Sequence, residues 1–183
     1  MKKIESLIRS LLKELGDDPE RPGLEATPSR VARMWTELIP KDQAPPKLTC
    51  FPREMGGIDC DEMVVTTDIP FVSFCEHHML PFVGHAAVGY IPGTKIVGLS
   101  KLARAVEYFA KRLQVQERLT AQVADYLLDA GQMQGVCVML SAEHMCMSIR
   151  GIKKPGHGTN THAIRGDIDK LEFLRLVSIS GGC

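Results

Sequence analysis

The sequence predicts an α+β fold with an antiparallel sheet. Two observations predict it. The elements run in the order helices, strands, two helices, strand, strand, helix, without the alternation of a doubly wound parallel sheet. The apolar residues recur at helical spacing in some segments and form short strand-like runs in others. With 183 residues, 44% of them hydrophobic, the chain suits one domain, or a domain with a helical appendage.

Residues 2–15 place Ile4, Leu7, Ile8, Leu11, Leu12 and Leu15 at helical spacing. Gly16 stops this helix and Asp17-Asp18-Pro19 opens a loop. Thr27-Pro28 reads as an N-cap followed by proline, starting a helix over 28–39 with Val31, Met34, Trp35 and Leu38 on one face. Pro40 ends it, and 40–62 reads as irregular, with Pro45-Pro46 and Gly56-Gly57. A strand follows over 63–74, irregular at Asp68. Residues 82–91 form the next strand, ended by Pro92-Gly93, and 95–99 a short third one. Ser100 caps a helix to about Leu113, and a second helix spans 115–130 and ends at Gly131. Residues 135–150 read as one long strand, 151–160 as a glycine-rich loop, 161–164 as a short strand and 167–177 as a last helix.

Net charge is zero, so no global field recruits nucleic acid or an anionic membrane. No run of eighteen apolar residues spans a bilayer, and Met1–Ser6 joins an amphipathic helix rather than a signal peptide. A cytoplasmic location is the expectation. There, six cysteines argue for metal or catalysis rather than a disulfide framework. Cys50, Cys60, Cys137 and Cys183 have no metal-like neighbours, and Cys137 reads as a small core residue.

The chemistry gathers at Cys75-Glu76-His77-His78 and, about seventy residues later, His144-Met145-Cys146. Cys75, His78 and Cys146 make three ligands suited to zinc, and three with an open position is the catalytic pattern. His77 and His144 beside them suit proton transfer. Residues three apart on a strand face opposite sides, so the Cys75–His78 segment must turn. On a strand over 135–150, His144, Cys146, Ser148 and Arg150 share one face. Arg150 then lies about 13 Å along the strand from Cys146, within reach of a phosphate tail. Glu76 reads as a ligand or, better, as a neighbour of the ligands or a solvent-facing residue. His85 and His157 read as loop or surface histidines, and His162 as a surface residue or a substrate contact.

Ser100, Lys101 and Arg104 stand at a helix start, with the two cations on one face. They read either as a phosphate site or as a solvated basic face. Glu117, after Gln116, reads either as a carboxylate favoured by a helix N-terminus or as an acceptor for two hydrogens of a guanine edge.

Four stretches together resemble the zinc-dependent GTP cyclohydrolase I family. They are Cys75–His78, Gly98-Leu99-Ser100-Lys101, Gln114-Val115-Gln116-Glu117-Arg118-Leu119-Thr120 and His144-Met145-Cys146-Met147-Ser148-Ile149-Arg150-Gly151-Ile152. The Asp17–Arg21 loop and Thr27–Trp35 extend the likeness over nearly the whole chain. It implies a tunnelling fold (T-fold), with a catalytic domain over 41–183 and an N-terminal helical region over 1–40. It implies a homodecamer of two stacked pentamers, active sites between subunits, and one Zn2+ per subunit. The reaction implied is GTP plus water to 7,8-dihydroneopterin triphosphate and formate, a step of tetrahydrofolate and pterin biosynthesis.

Residue by residue, Cys75, His78 and Cys146 match the zinc ligands, and His77 and His144 the catalytic histidines. Glu117 and Gln116 match the guanine-recognition positions. Ser100, Lys101, Arg104 and Arg150 match positions around the triphosphate, and Arg30, with Arg33 near it, a contribution from a neighbouring subunit. The loop Lys153–Gly158 differs between members and leaves His157 without an assigned role. Other T-fold enzymes fit less well. A 6-pyruvoyltetrahydropterin synthase-like protein uses three histidines on zinc, and a nitrile reductase uses NADPH and a reactive cysteine. A non-catalytic zinc-stabilised nucleotide binder would have no need of the His77 and His144 pair.

Overall fold

The computed structural model describes residues 1–41, 43–53 and 62–180, and divides into two units, Met1–Gln43 and Ala44–Cys183. Gly56-Gly57, Cys60 and Cys183 lie outside the described residues. In the first unit, α1 (Lys2–Glu14) packs on α2 (Thr27–Leu38). Ile4, Ile8 and Leu12 are half-buried, whereas Leu7, Leu11 and Leu15 stay exposed. The apolar stripe of α1 is therefore wider than its cover in this unit. Gly16 stops α1 in the left-handed region at φ 84°, and Arg21 pairs with Asp17 at 2.6 Å in the loop. Thr27 does not cap α2. It is the first helical residue, Ala26 precedes it as N-cap, and no side-chain oxygen caps the helix.

In the second unit, β1 (Cys50–Pro52), β2 (Val64–Cys75), β3 (Pro81–Ile91) and β4 (Lys95–Val97) precede α3 (Leu99–Ala110). Then follow β5 (Leu113–Gln114), α4 (Gln116–Gly131), β6 (Gly135–His144), α5 (Met145–Ser148), β7 (Thr159–Gly166) and α6 (Lys170–Ser180). The main sheet has the order β5-β2-β3-β6-β7, and β1 pairs separately with β4. The class is α+β, as the element order predicts. Three expectations are corrected. The stretch 40–62 is not wholly irregular, because β1 finds a partner in β4. The sheet is not purely antiparallel, because β5 joins β2 in parallel. Ser100 does not cap α3; Gly98 is the N-cap and no side chain caps.

Helices cover both faces of the sheet. Val136, Val138, Leu140 and Ala142 of β6 join Phe82, Ala86, Val88 and Tyr90 of β3 in a core that includes residues of α3 and α4. The opposite parity, Ala87 and Cys137, packs with Phe173 of α6. β2 obeys the same alternation only by changing phase. Thr66 pairs with Val88 and Ile69 with Ala86, so three steps on β2 match two on β3. This one-residue bulge contains Asp68 at φ 55°, the irregularity expected from sequence. Before it, Val64 packs against the α3/α4 core and Val65 against the α6 side; after it, Ile69, Phe71 and Cys75 face the former. The extra residue thus sets which side Cys75 faces.

The largest departure is at the end of β6. Strand pairing stops at His144, and Met145–Ser148 form a single helical turn. The shared strand face of His144, Cys146, Ser148 and Arg150 therefore does not exist. Among the described residues, no helix is long and apolar enough to cross a membrane.

Burial beneath α6 pushes the Cys137 thiol up to about 11. At pH 8 it should stay protonated and unlabelled by iodoacetamide in the native protein and label fully in denaturant; peptide mass mapping checks this.

Candidate metal centre and its surroundings

β2 ends at Cys75, and the backbone turns at once. The Cys75 amide donates to Leu80 O at 2.9 Å and the Met79 amide to Cys75 O at 2.7 Å, with Met79 at φ 55°. This is the turn required for Cys75 and His78 to meet. From the other side, the helical turn of α5 swings Cys146 toward them. Donor atoms of Cys75, His78 and Cys146 lie within 4.8 Å of one another. Cys75 is buried, Cys146 half-buried and His78 exposed, so the group has a floor and an open side. The Nδ1 atoms of His77 and His78 each lie 3.8 Å from Cys75 Sγ.

Two sulfurs and an imidazole nitrogen this close fit a borderline-soft divalent ion. Burial and the neighbouring Cys75 thiol push the Cys146 thiol up, with Arg150 opposing. A bound dication would reverse that balance at Cys146, because it favours the thiolate. Arg150 is not at a strand's length from this group. Its Nη1 lies 3.0 Å from His78 Nε2, because the chain doubles back after α5.

His144 closes β6 directly opposite Phe82, and the two rings stack at 4.7 Å with 4° between planes. Its other anchor is Gln116, the first residue of α4. The two hydrogens of Gln116 Nε2 are shared among Leu140 O at 3.1 Å, Thr159 O at 2.9 Å and Thr161 Oγ1 at 3.1 Å. Its Oε1 consequently faces His144 Nε2 at 2.8 Å. An amide oxygen only accepts, so Nε2 carries the hydrogen and the neutral ring keeps its lone pair on Nδ1. Burial, then the nearby His157, pull the His144 pKa below its ordinary value, with Glu117 opposing. Gln116 is 1% exposed, so its side chain is turned into the protein rather than toward an open cleft.

Glu76 has a partner that the sequence does not reveal. Its carboxylate pairs with Arg118 Nη2, while Arg118 Nε donates to Gln114 Oε1 at 2.9 Å. The Glu76 amide donates to Gln114 O at 3.0 Å. The turn bearing His77 and His78 is thereby tied to β5 and to the first turns of α4. Glu117 lines a cavity of about 440 Å³ with Ala121, Thr161, His162, Ala163, Ile164 and Arg165. That cavity joins Glu117 and His162, two residues left with open readings by sequence. Ser100 and Arg104 are exposed on α3 and Lys101 is half-buried; among the described residues, neither cation has an ion-pair partner. Arg30 and Arg33 are exposed on α2 of the first unit.

Three site neighbours escaped sequence reading: Glu143, Arg118 as the partner of Glu76, and Gln116 as an anchor of His144. Arg118 and Gln116 lie in a stretch already singled out. Glu143 left no signal while 135–150 read as a straight strand.

Fold and site define an α+β protein with a side-chain group able to hold a metal ion beside two histidines. Comparison with known proteins sharpens this. The family model for GTP cyclohydrolase I matches residues 4–178, and the chain belongs to that family. It is 49% identical over 176 residues to GTP cyclohydrolase 1 of Clostridium kluyveri, covering 96% of this chain and 94% of that protein. It is 47% identical over 186 residues to GTP cyclohydrolase 1 of Dehalococcoides mccartyi, covering 97% of each. With the Aquifex aeolicus GTP cyclohydrolase 1 it shares 50% over 180 residues, covering 96% of this chain and 95% of that one. Among solved structures, the apo archaeosine synthase QueF-Like matches 58% of this chain and 96% of that one, with TM-score 0.48 and 16% identity. That likeness is too slight to bear on fold or function.

Replacing Gln116 with leucine removes the donor to Leu140 O and Thr159 O, while Thr161 Oγ1 keeps Thr120 Oγ1 as a partner. The protein should lose about 3 kcal/mol of stability, read as a lowered urea midpoint.

Proposed function

We propose that this chain opens the imidazole ring of GTP and converts it to 7,8-dihydroneopterin triphosphate and formate, with Zn2+ held by Cys75, His78 and Cys146. The observation that carries the reading is the convergence of those three side chains beside two histidines, in a chain of the GTP cyclohydrolase I family. Zinc at this group would supply Lewis-acid activation of water near neutral pH.

The remaining work falls to the chain's own residues. Adding water at C8 of guanine and cleaving two C–N bonds requires protons to move onto and off the ring nitrogens. N7 must gain one as C8 becomes tetrahedral. His144 suits a relay, because Phe82 and Gln116 fix its ring and leave the Nδ1 lone pair free to take a proton from the attacking water and pass it to N7. His77, beside Cys75, supplies the second proton carrier. Formate release and the ribose rearrangement need repeated transfers but no redox cofactor. Glu117 would accept N1–H and the 2-amino group of guanine, which selects that base. Gln116 is assigned to holding His144 in place, since its amide is committed inside the protein.

The triphosphate is not cleaved. Ser100, Lys101 and Arg104, at the uncapped start of α3, would bind it with Arg150, and Arg30 would add a charge from a neighbouring copy. His78 turns Nδ1 toward Cys75 Sγ and Nε2 toward Arg150, so a metal held through Nδ1 would leave the hydrogen on Nε2 and would free the Arg150 guanidinium for an anion. These contacts give remote binding energy that positions the base.

The architecture is assigned to the T-fold, with 1–40 as a helical region and 41–183 as the catalytic domain. Two stacked pentamers forming a cytoplasmic homodecamer, with active sites between subunits, complete the reading. Two features support assembly. The main sheet ends in the edges β5 and β7, and ring closure would pair them. Leu7, Leu11 and Leu15 also leave an exposed apolar stripe on α1.

Purified protein given GTP should release formate and a pterin that fluoresces after oxidation, and a chelator should stop both. Zinc-loaded protein that yields neither product would favour a nucleotide-binding role instead. Cys146→Ser should lose zinc, measured by elemental analysis, and about 100-fold or more in formate release. Full zinc and full turnover in that variant would refute the ligand set. Glu117→Gln should raise the KM for GTP by about 10- to 100-fold and relax selection against other purine triphosphates. Unchanged kinetics would remove Glu117 from base recognition.

A further inference from the structure

A carboxylate next to the metal group takes no part in the chemistry above. Glu143 is the penultimate residue of β6. Its Oε1 accepts from Ser148 Oγ at 2.6 Å and from the Gly156 amide at 2.9 Å. Ser148 is the last residue of α5, and Gly156 lies in the loop between α5 and β7. A single carboxylate oxygen therefore ties the end of a strand, the far end of the turn that carries Cys146, and the loop beyond.

That turn needs such support. α5 is four residues long and has no side-chain cap at its N-terminus. A helical turn of this length has no stability of its own, because nucleation is unfavourable and propagation has not begun. What fixes it comes from outside. Ser148, 9% exposed, also lies with Oγ 3.3 Å from His144 O. The Lys154 amide donates to Met147 O at 2.9 Å. The same loop returns His157 to the site. Its Nδ1 lies 2.7 Å from Lys154 O, and its Nε2 accepts the His144 amide at 3.4 Å. With Nε2 accepting, Nδ1–H donates to Lys154 O. The Ser148 and Gly156 hydrogen bonds hold the Glu143 carboxyl below the usual carboxylate range, so the clamp is made by the ionised form at neutral pH.

We propose that Glu143 is a positioning residue for the metal group: it fixes α5 and the 151–158 loop, and so presets Cys146 against Cys75 and His78 before a metal arrives. The proposal rests on the reading of those three side chains as metal ligands. A ligand already held in place loses little conformational freedom on binding, so the clamp acts on how tightly the ion is kept. It also carries His157, through Lys154 and Gly156, to the backbone of His144.

The test compares zinc retention in full-length wild-type, Glu143→Ala, Glu143→Gln, Ser148→Ala and Cys146→Ser protein. Each zinc-loaded sample is mixed with excess chromophoric chelator, and the rate and extent of zinc transfer are read. Glu143→Ala and Ser148→Ala should retain zinc about 10- to 100-fold less well than wild type. Glu143→Gln keeps an accepting oxygen and should fall between. Combining Glu143→Ala with Ser148→Ala should add little, since both remove one shared hydrogen bond. Hydrogen exchange at the Gly156 amide should quicken in Glu143→Ala and not in wild type. Circular dichroism verifies folding; if Glu143→Ala does not fold, Ser148→Ala and Glu143→Gln decide. Zinc retention in the folded variants equal to wild type, with zinc lost from Cys146→Ser, would overturn the role of Glu143 alone. Wild-type protein that takes up no zinc would overturn the ligand reading, and this proposal with it.

Discussion

The arrangement of the site depends on one extra residue in β2. Side chains on a strand alternate, so a strand running without interruption from Val64 would aim Cys75 away from the face that packs on α3 and α4. The bulge between Thr66 and Ile69 reverses that phase. Cys75 can then meet the side chains delivered by the turn after it and by α5. Pro70 follows the bulge at no cost to the ladder, because β5 pairs with β2 only at Phe74 and Cys75.

Around that constraint, the histidines and candidate ligands are held in place by residues outside the group. Phe82 and Gln116 grip one histidine, one by stacking and one by an amide committed to four partners. Arg118 ties Glu76, and with it the turn of His77 and His78, to α4. Glu143 gathers α5 and the glycine-rich loop. Each anchor sits on a strand end or a helix start next to the residue it steadies. Precision therefore comes from the scaffold, while the open side of the group, at His78, faces solvent.

Much of this was legible in the sequence, for physical reasons. Cys75, His78 and Cys146 are rare donor types in close motifs, so their convergence could be inferred without coordinates. The need for a turn at Glu76 followed from strand geometry, and the irregularity at Asp68 from a polar residue within an apolar run. What failed was the extension of strand period through 145–150. Met145-Cys146-Met147-Ser148 contains no β-branched residue, and one helical turn replaces the strand there. That misreading placed Arg150 far from the metal group, when its guanidinium is beside His78, and hid Glu143. Ser100 illustrates a second limit: a hydroxyl near a helix start is not a cap when the helix begins a residue before it. β5 was illegible because two residues become a strand only by tertiary pairing.

The three donors also have a history within each chain's synthesis. A ribosome releases the N-terminal part first. Cys75 and His78 precede Cys146 by about seventy residues, and in the folded chain it is β6, paired with β3, that delivers Cys146 to them. Before β6 is in place the chain would offer an ion only Cys75 and His78, at the end of the β2/β3 hairpin. An ion held by all three would therefore be captured tightly only after β6 lies beside β3, so loading would follow assembly of that part of the sheet rather than nucleate it.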